Sequence, residues 1–208
     1  PAIAGANTYT GSKCYQQLLA NKDVDAVLIS SPAYTHADYF EAAAHAGKHI
    51  YCEKPAAPDV AGCRKVEHIG NVYNGKLSMV IGFQIRHATP YVQMVERIRK
   101  GDIGDVLNVH LCYLATRLDP KDTKGMSWDE IRIRNQYHFH ALSGGTMLDQ
   151  AIHMIDVCNW ALNKLPVNAN GIGGKDATQT FGDTWKHFQV VYQYPGTNVS
   201  VHAVQFGT

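Results

Sequence analysis

The chain has 208 residues, 45% hydrophobic and 18% charged, with a formal net charge of +1. That is enough length and apolar content to bury a core in one large domain or two small ones. Lys and Arg are scattered rather than striped, which argues against a nucleic-acid surface, and no apolar run approaches the roughly 18 residues that a membrane span requires.

The first strong element signal is Asp23-Val-Asp-Ala-Val-Leu-Ile-Ser30, whose apolar run from Ala26 to Ile29 predicts a strand buried on both faces, as in a parallel sheet. Thr35 with Asp38 three residues later has the spacing of a capping box, which starts a helix running to about Ala46, with Gly47 as its stop. His49-Ile-Tyr-Cys52 is the next short strand. Asp59 is positioned to cap a second helix ending near Asn74-Gly75, and Leu77-Ser-Met-Val-Ile-Gly-Phe83 is a third strand. Strand, helix, strand, helix, strand at this spacing is a doubly wound α/β unit.

The pattern then changes, with a boundary near Gly82 to Arg86. Thr89-Pro90 opens a helix that stops at Gly101. From Val106 to Arg117 the residues Leu107, Val109, Leu111, Tyr113 and Ala115 alternate, which predicts a long strand with one covered face, as in an antiparallel sheet. Residues 187–194 and 199–206 read as two more, joined at Pro195-Gly196, and a helix is expected from about Gly145 to Asn163. The five cysteines form no C-x-x-C pair, which speaks against a zinc ribbon or redox dithiol and fits reduced thiols in a cytoplasmic compartment.

Three constellations carry chemistry. Glu53-Lys54-Pro55 follows a buried strand directly, at the strand end where open α/β sheets bind ligands; the plain alternative is a solvated Lys in a turn. Asp149-x-x-x-His153 places a carboxylate and an imidazole on one helix face, an arrangement that can orient a general base; the alternative is a surface hydrogen bond, or a core His satisfied by Asp156. His138 and His140, two apart, would put both rings on one side if they lay on a strand, and could join Asp149 and His153 around a metal. The spacing matches no ligand pattern, so no metal is expected.

The first two constellations, in this order and context, resemble the Gfo/Idh/MocA family of oxidoreductases. Asp25-Ala-Val-Leu-Ile-Ser-Ser-Pro32 with His36, Gly47-Lys-His-Ile-Tyr-Cys-Glu-Lys-Pro55, Gly82-Phe83 with Arg86, Gly101-Asp-Ile-Gly104, and Gly144-Gly145 with Asp149, His153 and Asp156 carry the resemblance along nearly the whole chain. It implies a truncated Rossmann-like parallel sheet in residues 1–84. An open-faced, mostly antiparallel sheet with helices on one face then serves as the substrate and oligomerisation domain in residues 85–208. It further implies an NAD- or NADP-dependent dehydrogenase acting on a sugar or polyol. In that reading Lys54, Asp149 and His153 are catalytic, and Ser31, Pro32, His36, Glu53 and Lys54 bind the cofactor. Arg134, Asn135 and Tyr137 line the substrate pocket, and the Lys54–Pro55 bond is cis.

The dinucleotide fingerprint G-x-G-x-x-G and its partner acidic residue are absent; Gly171-Ile-Gly-Gly174 lies far downstream without the strand-to-helix context. With Pro1 as the first residue, the expectation is a piece of a longer protein. Two alternatives remain open: an NAD-dependent glycoside hydrolase on the same scaffold, and a non-catalytic relative. A homodimer or homotetramer formed through the open sheet face is expected.

Overall fold

The computed structural model describes residues 7–116, 118–175 and 180–206. The chain divides after Gly82 into two compact units.

In the first unit, strands β1 (Ala26–Ile29), β2 (His49–Glu53) and β3 (Met79–Gly82) form a parallel sheet in that order. The register pairs Ala26 with His49 and Ile50 with Met79. Helices α2 (His36–His45) and α3 (Val60–Val72) pack on it, and α1 (Cys14–Ala20) precedes β1. The core gathers Ile29, Ile50 and Cys52 from the strands with Phe40, Ala43, Ala44, Val66 and Ile69 from the helices. Cys14–Ala20 is short, lacks a side-chain cap and buries no residue, so its sequence carries no periodic signal.

Two expectations for this unit need correction. The strands are not buried on both faces: Leu28 is 69% and Val80 48% exposed, because α2 and α3 cover the face of Ile29, Ile50 and Cys52, while alternate residues point away. Thr35 does not cap α2 with its side chain. The chain enters through a 3₁₀ turn (Ala33–Thr35), and the Thr35 hydroxyl donates back to Pro32 O at 2.8 Å. Asp59 does cap α3, accepting from Gly62 N–H at 2.7 Å. Asp59→Ala is expected to destabilise the protein by about 1 kcal/mol, with Asp59→Asn restoring most of it, as read from chemical denaturation.

The second unit is a four-stranded sheet in the order β4 (Asn108–Thr116), β7 (Thr197–Phe206), β6 (His187–Tyr194), β5 (Asn168–Gly174). Its inner face packs on a helical layer. Val199, Val201, Ala203 and Tyr194 meet Ala151 and Cys158, with Val109, Leu111, Tyr113 and Ile155 beside them. Leu114, Val191 and Ile172 stand exposed on the other face, so the sheet is open on one side. Helices α4 (Thr89–Arg99), α5 (Trp128–Arg134), the short α6 (His140–Ser143) and α7 (Ile152–Leu162) complete the unit.

Three features depart from expectation. First, β4 pairs with β7 in parallel, with His110 opposite Ser200, although β5–β6 and β6–β7 are antiparallel. Alternating burial reports one covered face and says nothing about strand direction. Leu107 precedes β4 and is 74% exposed. Second, Asn168–Gly174, glycine-rich and polar, forms an edge strand; such edges lack the apolar alternation that marks a strand. Third, His138 lies in a 3₁₀ turn (Gln136–His138) and His140 opens α6, so the two do not share a strand face; His138 is buried and His140 exposed. Among the described residues, no helix is long and apolar enough to cross a membrane.

Candidate functional site

In the first unit the candidate residues collect where β1 and β2 end. In an open parallel sheet this carboxyl edge is where ligands bind, because diverging connections leave a crevice there. Ser31 and Pro32 follow β1, and Glu53, Lys54 and Pro55 end β2 with a cis Lys54–Pro55 bond. The Ser31 and Thr35 hydroxyls meet at 2.6 Å. Since Thr35 gives its proton to Pro32 O, Ser31 is the donor in that contact, and its oxygen keeps lone pairs for an outside donor. Pro55 and Ala57 are buried, and the strap they form lies close against α3: a Cβ on Gly62 would stand 2.5 Å from Ala57 Cβ.

His36 departs from a ligand-facing role. It is 2% exposed, and both ring nitrogens meet backbone carbonyls, Nδ1 at 2.7 Å from Pro55 O and Nε2 at 2.7 Å from Ser31 O.

In the second unit a π-helical stretch (Met147–Ala151) runs straight into α7. Asp149 lies in the wider π turns and His153 in the first α turn, so the four-residue spacing spans less than a full turn. Such π segments are rare and occur often at functional sites. The buried His153 ring (4% exposed) has Tyr113 from β4 stacked on it, centroids 6.2 Å apart, and Phe83 edge-on at 6.3 Å. Neither aromatic neighbour is legible from motif spacing, since both reach His153 through tertiary packing. Tyr137 is 44% exposed, and its phenol pKa is raised by burial and, secondarily, by the Asp149 charge. The structure therefore brings Tyr137 within the field of Asp149.

The other two pocket candidates are held by backbone. Asn135 is buried; its amide donates to Ile131 O and its carbonyl accepts from Lys121 N–H. Arg134 is exposed and donates through Nε to Asp122 O. Ser127 and Glu130 form a capping box that starts α5 and so places both residues. That S-x-x-E spacing is visible in the sequence and marks a helix that hydrophobic periodicity alone does not disclose. Three residues beyond His153 on α7, Asp156 takes a bidentate pair from Arg86, 2.8 Å at each nitrogen, and Arg86 also stacks over Trp160. Among the described residues, no group of three or more His, Cys, Asp or Glu side chains is arranged to hold a metal.

The thiols differ sharply in environment. Burial pushes Cys52 up to about 12, with the Glu53 charge adding to it. Burial also pushes Cys158 up to about 11 against a hydrogen bond with Tyr194. A raised pKa means less thiolate at a given pH, and the thiolate is the nucleophile. At mildly alkaline pH a thiol reagent is therefore expected to label the exposed Cys112 within minutes and to leave Cys52 and Cys158 intact until denaturant is added; peptide mapping reads the result.

Comparison with known proteins gives a consistent result. The family described as "Oxidoreductase family, NAD-binding Rossmann fold" matches residues 2–79, and the GFO/IDH/MocA C-terminal domain matches residues 91–207. An inositol 2-dehydrogenase of Salmonella typhimurium is 33% identical over 151 residues, covering 72% of this chain and 39% of the relative. Inositol 2-dehydrogenase 3 of Saccharopolyspora erythraea is 31% identical over 164 residues, 79% of this chain and 43% of the relative. The chain thus spans about two-fifths of the length of these curated relatives. Among solved structures, the aldose-aldose oxidoreductase of Caulobacter crescentus complexed with glycerol superposes with a TM-score of 0.75 at 26% identity, covering 93% of this chain and 54% of that one. An oxidoreductase domain protein of Kribbella flavida reaches 0.78 at 22% identity, covering 93% and 52%, and so shares the fold.

Proposed function

The chain belongs to the Gfo/Idh/MocA oxidoreductase family, and from that premise we propose that it transfers hydride between a nicotinamide cofactor, NAD or NADP, and a carbinol carbon of a sugar or polyol. The observation that carries this reading is the second unit's arrangement of Asp149, Tyr137 and the buried, aromatic-flanked His153. The inositol 2-dehydrogenases among the relatives support cyclic polyols as the substrate class.

At the crest of the first unit, the described residues fit the nicotinamide end of the cofactor. The Ser31 oxygen offers lone pairs to a ribose hydroxyl or carboxamide N–H, and Pro32, Glu53 and Lys54 border the same strand ends. When bound, the cofactor supplies the hydride acceptor or donor. His153 takes the hydroxyl proton as a general base, worth roughly 10²–10⁴ in rate. In the first unit, Lys54 at the end of β2 supplies an ammonium suited to stabilising charge on a reacting oxygen. Asp149 accepts a hydrogen bond from a substrate hydroxyl, and Tyr137, within the field of Asp149, and Arg134 are the further candidates for substrate contacts. Asn135 contributes by holding the loop that carries them. A homodimer or homotetramer assembled through the outer sheet face is supported by the exposed Leu114, Val191 and Ile172.

The test is reduced-nicotinamide absorbance with NAD or NADP and a panel of inositols, aldoses and linear polyols. Turnover with at least one polyol is expected; release of an aglycone from a glycoside without net cofactor reduction would replace this reading with hydrolysis.

A further inference from the structure

The loop after β1 and the loop after β2 carry the candidate cofactor residues, yet the sheet ladder ends before either loop reaches Ser31 or Pro55. Among the described residues, one side chain bridges them. His36 opens α2 with its ring almost fully enclosed, and each nitrogen lies 2.7 Å from a backbone carbonyl: Ser31 O five residues back and Pro55 O nineteen residues on. We propose that His36 is a positioning residue, a clasp that fixes the Ser31–Pro32 turn against the Glu53-Lys54-Pro55 strap and so sets where Lys54 stands for the reaction. This rests on the reading of Lys54 as the residue that stabilises the oxygen charge.

Two observations make the clasp effective. The Ser31 side is a hydrogen-bonded turn closed by Thr35, whose hydroxyl meets Ser31 Oγ at 2.6 Å and donates to Pro32 O at 2.8 Å while its N–H donates to the same carbonyl at 2.9 Å. The Pro55 side is backed by α3, where Gly62 leaves room for Ala57 and nothing larger than hydrogen. A movement at either carbonyl is therefore passed on through the ring rather than absorbed. Carbonyl oxygens only accept, so both contacts become hydrogen bonds when both ring nitrogens carry protons, and either neutral tautomer retains one. No ring nitrogen is left to meet a ligand, which separates this role from direct cofactor binding.

The experiment compares the wild type with His36→Phe, which keeps volume and burial but removes both nitrogens, and with His36→Gln, which keeps one amide. Two readouts are taken: backbone amide spectra, and steady-state kinetics with NAD and a polyol. In His36→Phe the amides of residues 31–35 and of residues 53–57 are expected to shift together while those in the second half of α3 stay in place. Turnover should fall about tenfold to a hundredfold, the scale of a displacement near 1 Å at a reacting group, with the polyol KM changed less than threefold. His36→Gln should recover part of the turnover. If the amides at 53–57 stay where they are, or if kcat is unchanged in a folded His36→Phe, the clasp is wrong. Should His36→Phe fail to fold, Gly62→Ala presses on the same strap from α3, and it too must move the amides at 53–57 and lower kcat; wild-type values would overturn the proposal. Absence of polyol turnover in the wild type would remove the functional reading alone, since the paired amide shifts still decide whether His36 joins the two loops.

Discussion

His153→Ala is expected to lower kcat by roughly 10²–10⁴, the contribution of a well-placed general base, while leaving the polyol KM within a few-fold. The ring is enclosed by Tyr113 and Phe83 and stands one short turn from Asp149, so it is held in place before substrate arrives. Removing it opens a space but breaks no described strand pairing. The fold should therefore persist by circular dichroism, and the loss should appear in the chemical step. His153→Asn keeps polarity without basicity and should be nearly as damaged. A loss confined to KM would mean that the ring only binds substrate.

The second large effect is on stability. Arg86→Met is expected to destabilise the second unit by roughly 2–4 kcal/mol, at or below the usual range for breaking a buried ion pair because Arg86 is 39% exposed at its side chain. The Asp156 side chain is only 10% exposed, and it would lose both 2.8 Å bonds and be left as an uncompensated buried carboxylate. The stacking of Arg86 over Trp160 would also go. Arg86→Met with Asp156→Leu removes both partners, and it should recover much of the loss, because the cost lies mainly in the stranded charge. Arg86→Lys keeps the charge but not the fork, and is expected to fall between the two. Thermal denaturation of the three variants checks the order; a double variant no better than Arg86→Met would contradict it.

The parallel half of the fold is legible because its signals are local and strong. Ala26 to Ile29 is a continuous apolar run, Gly47 stops α2 with a φ of 73°, and Asp59 caps α3 through Gly62. The alternation of β4, β6 and β7 likewise shows which face is covered. The direction in which β4 meets β7 is set by the route of the chain around the helical layer, and no residue pattern records it. The π stretch before His153 is similarly hidden: Met147-Leu-Asp-Gln-Ala151 would suit an ordinary α-helix.

The site divides along the same line. Lys54, Asp149 and His153 are singled out as candidates by motif order and spacing. The carbonyl contacts of His36 are not visible in this way, because backbone carbonyls look alike in every residue until the fold brings two of them to one ring. For the same reason Asn135 reads as a pocket residue in sequence and proves to be engaged with Ile131 and Lys121.

The central claim is direct hydride transfer assisted by Lys54 and His153, and isotope transfer tests it most directly. The protein is incubated with NAD and a polyol deuterated at its carbinol carbons, and the reduced cofactor is examined by mass spectrometry. The account predicts one deuterium per reduced nicotinamide, a slower rate than with protiated substrate, and loss of both signals in Lys54→Ala and His153→Ala. Reduced cofactor without deuterium, or label transfer undiminished in both variants, would contradict it.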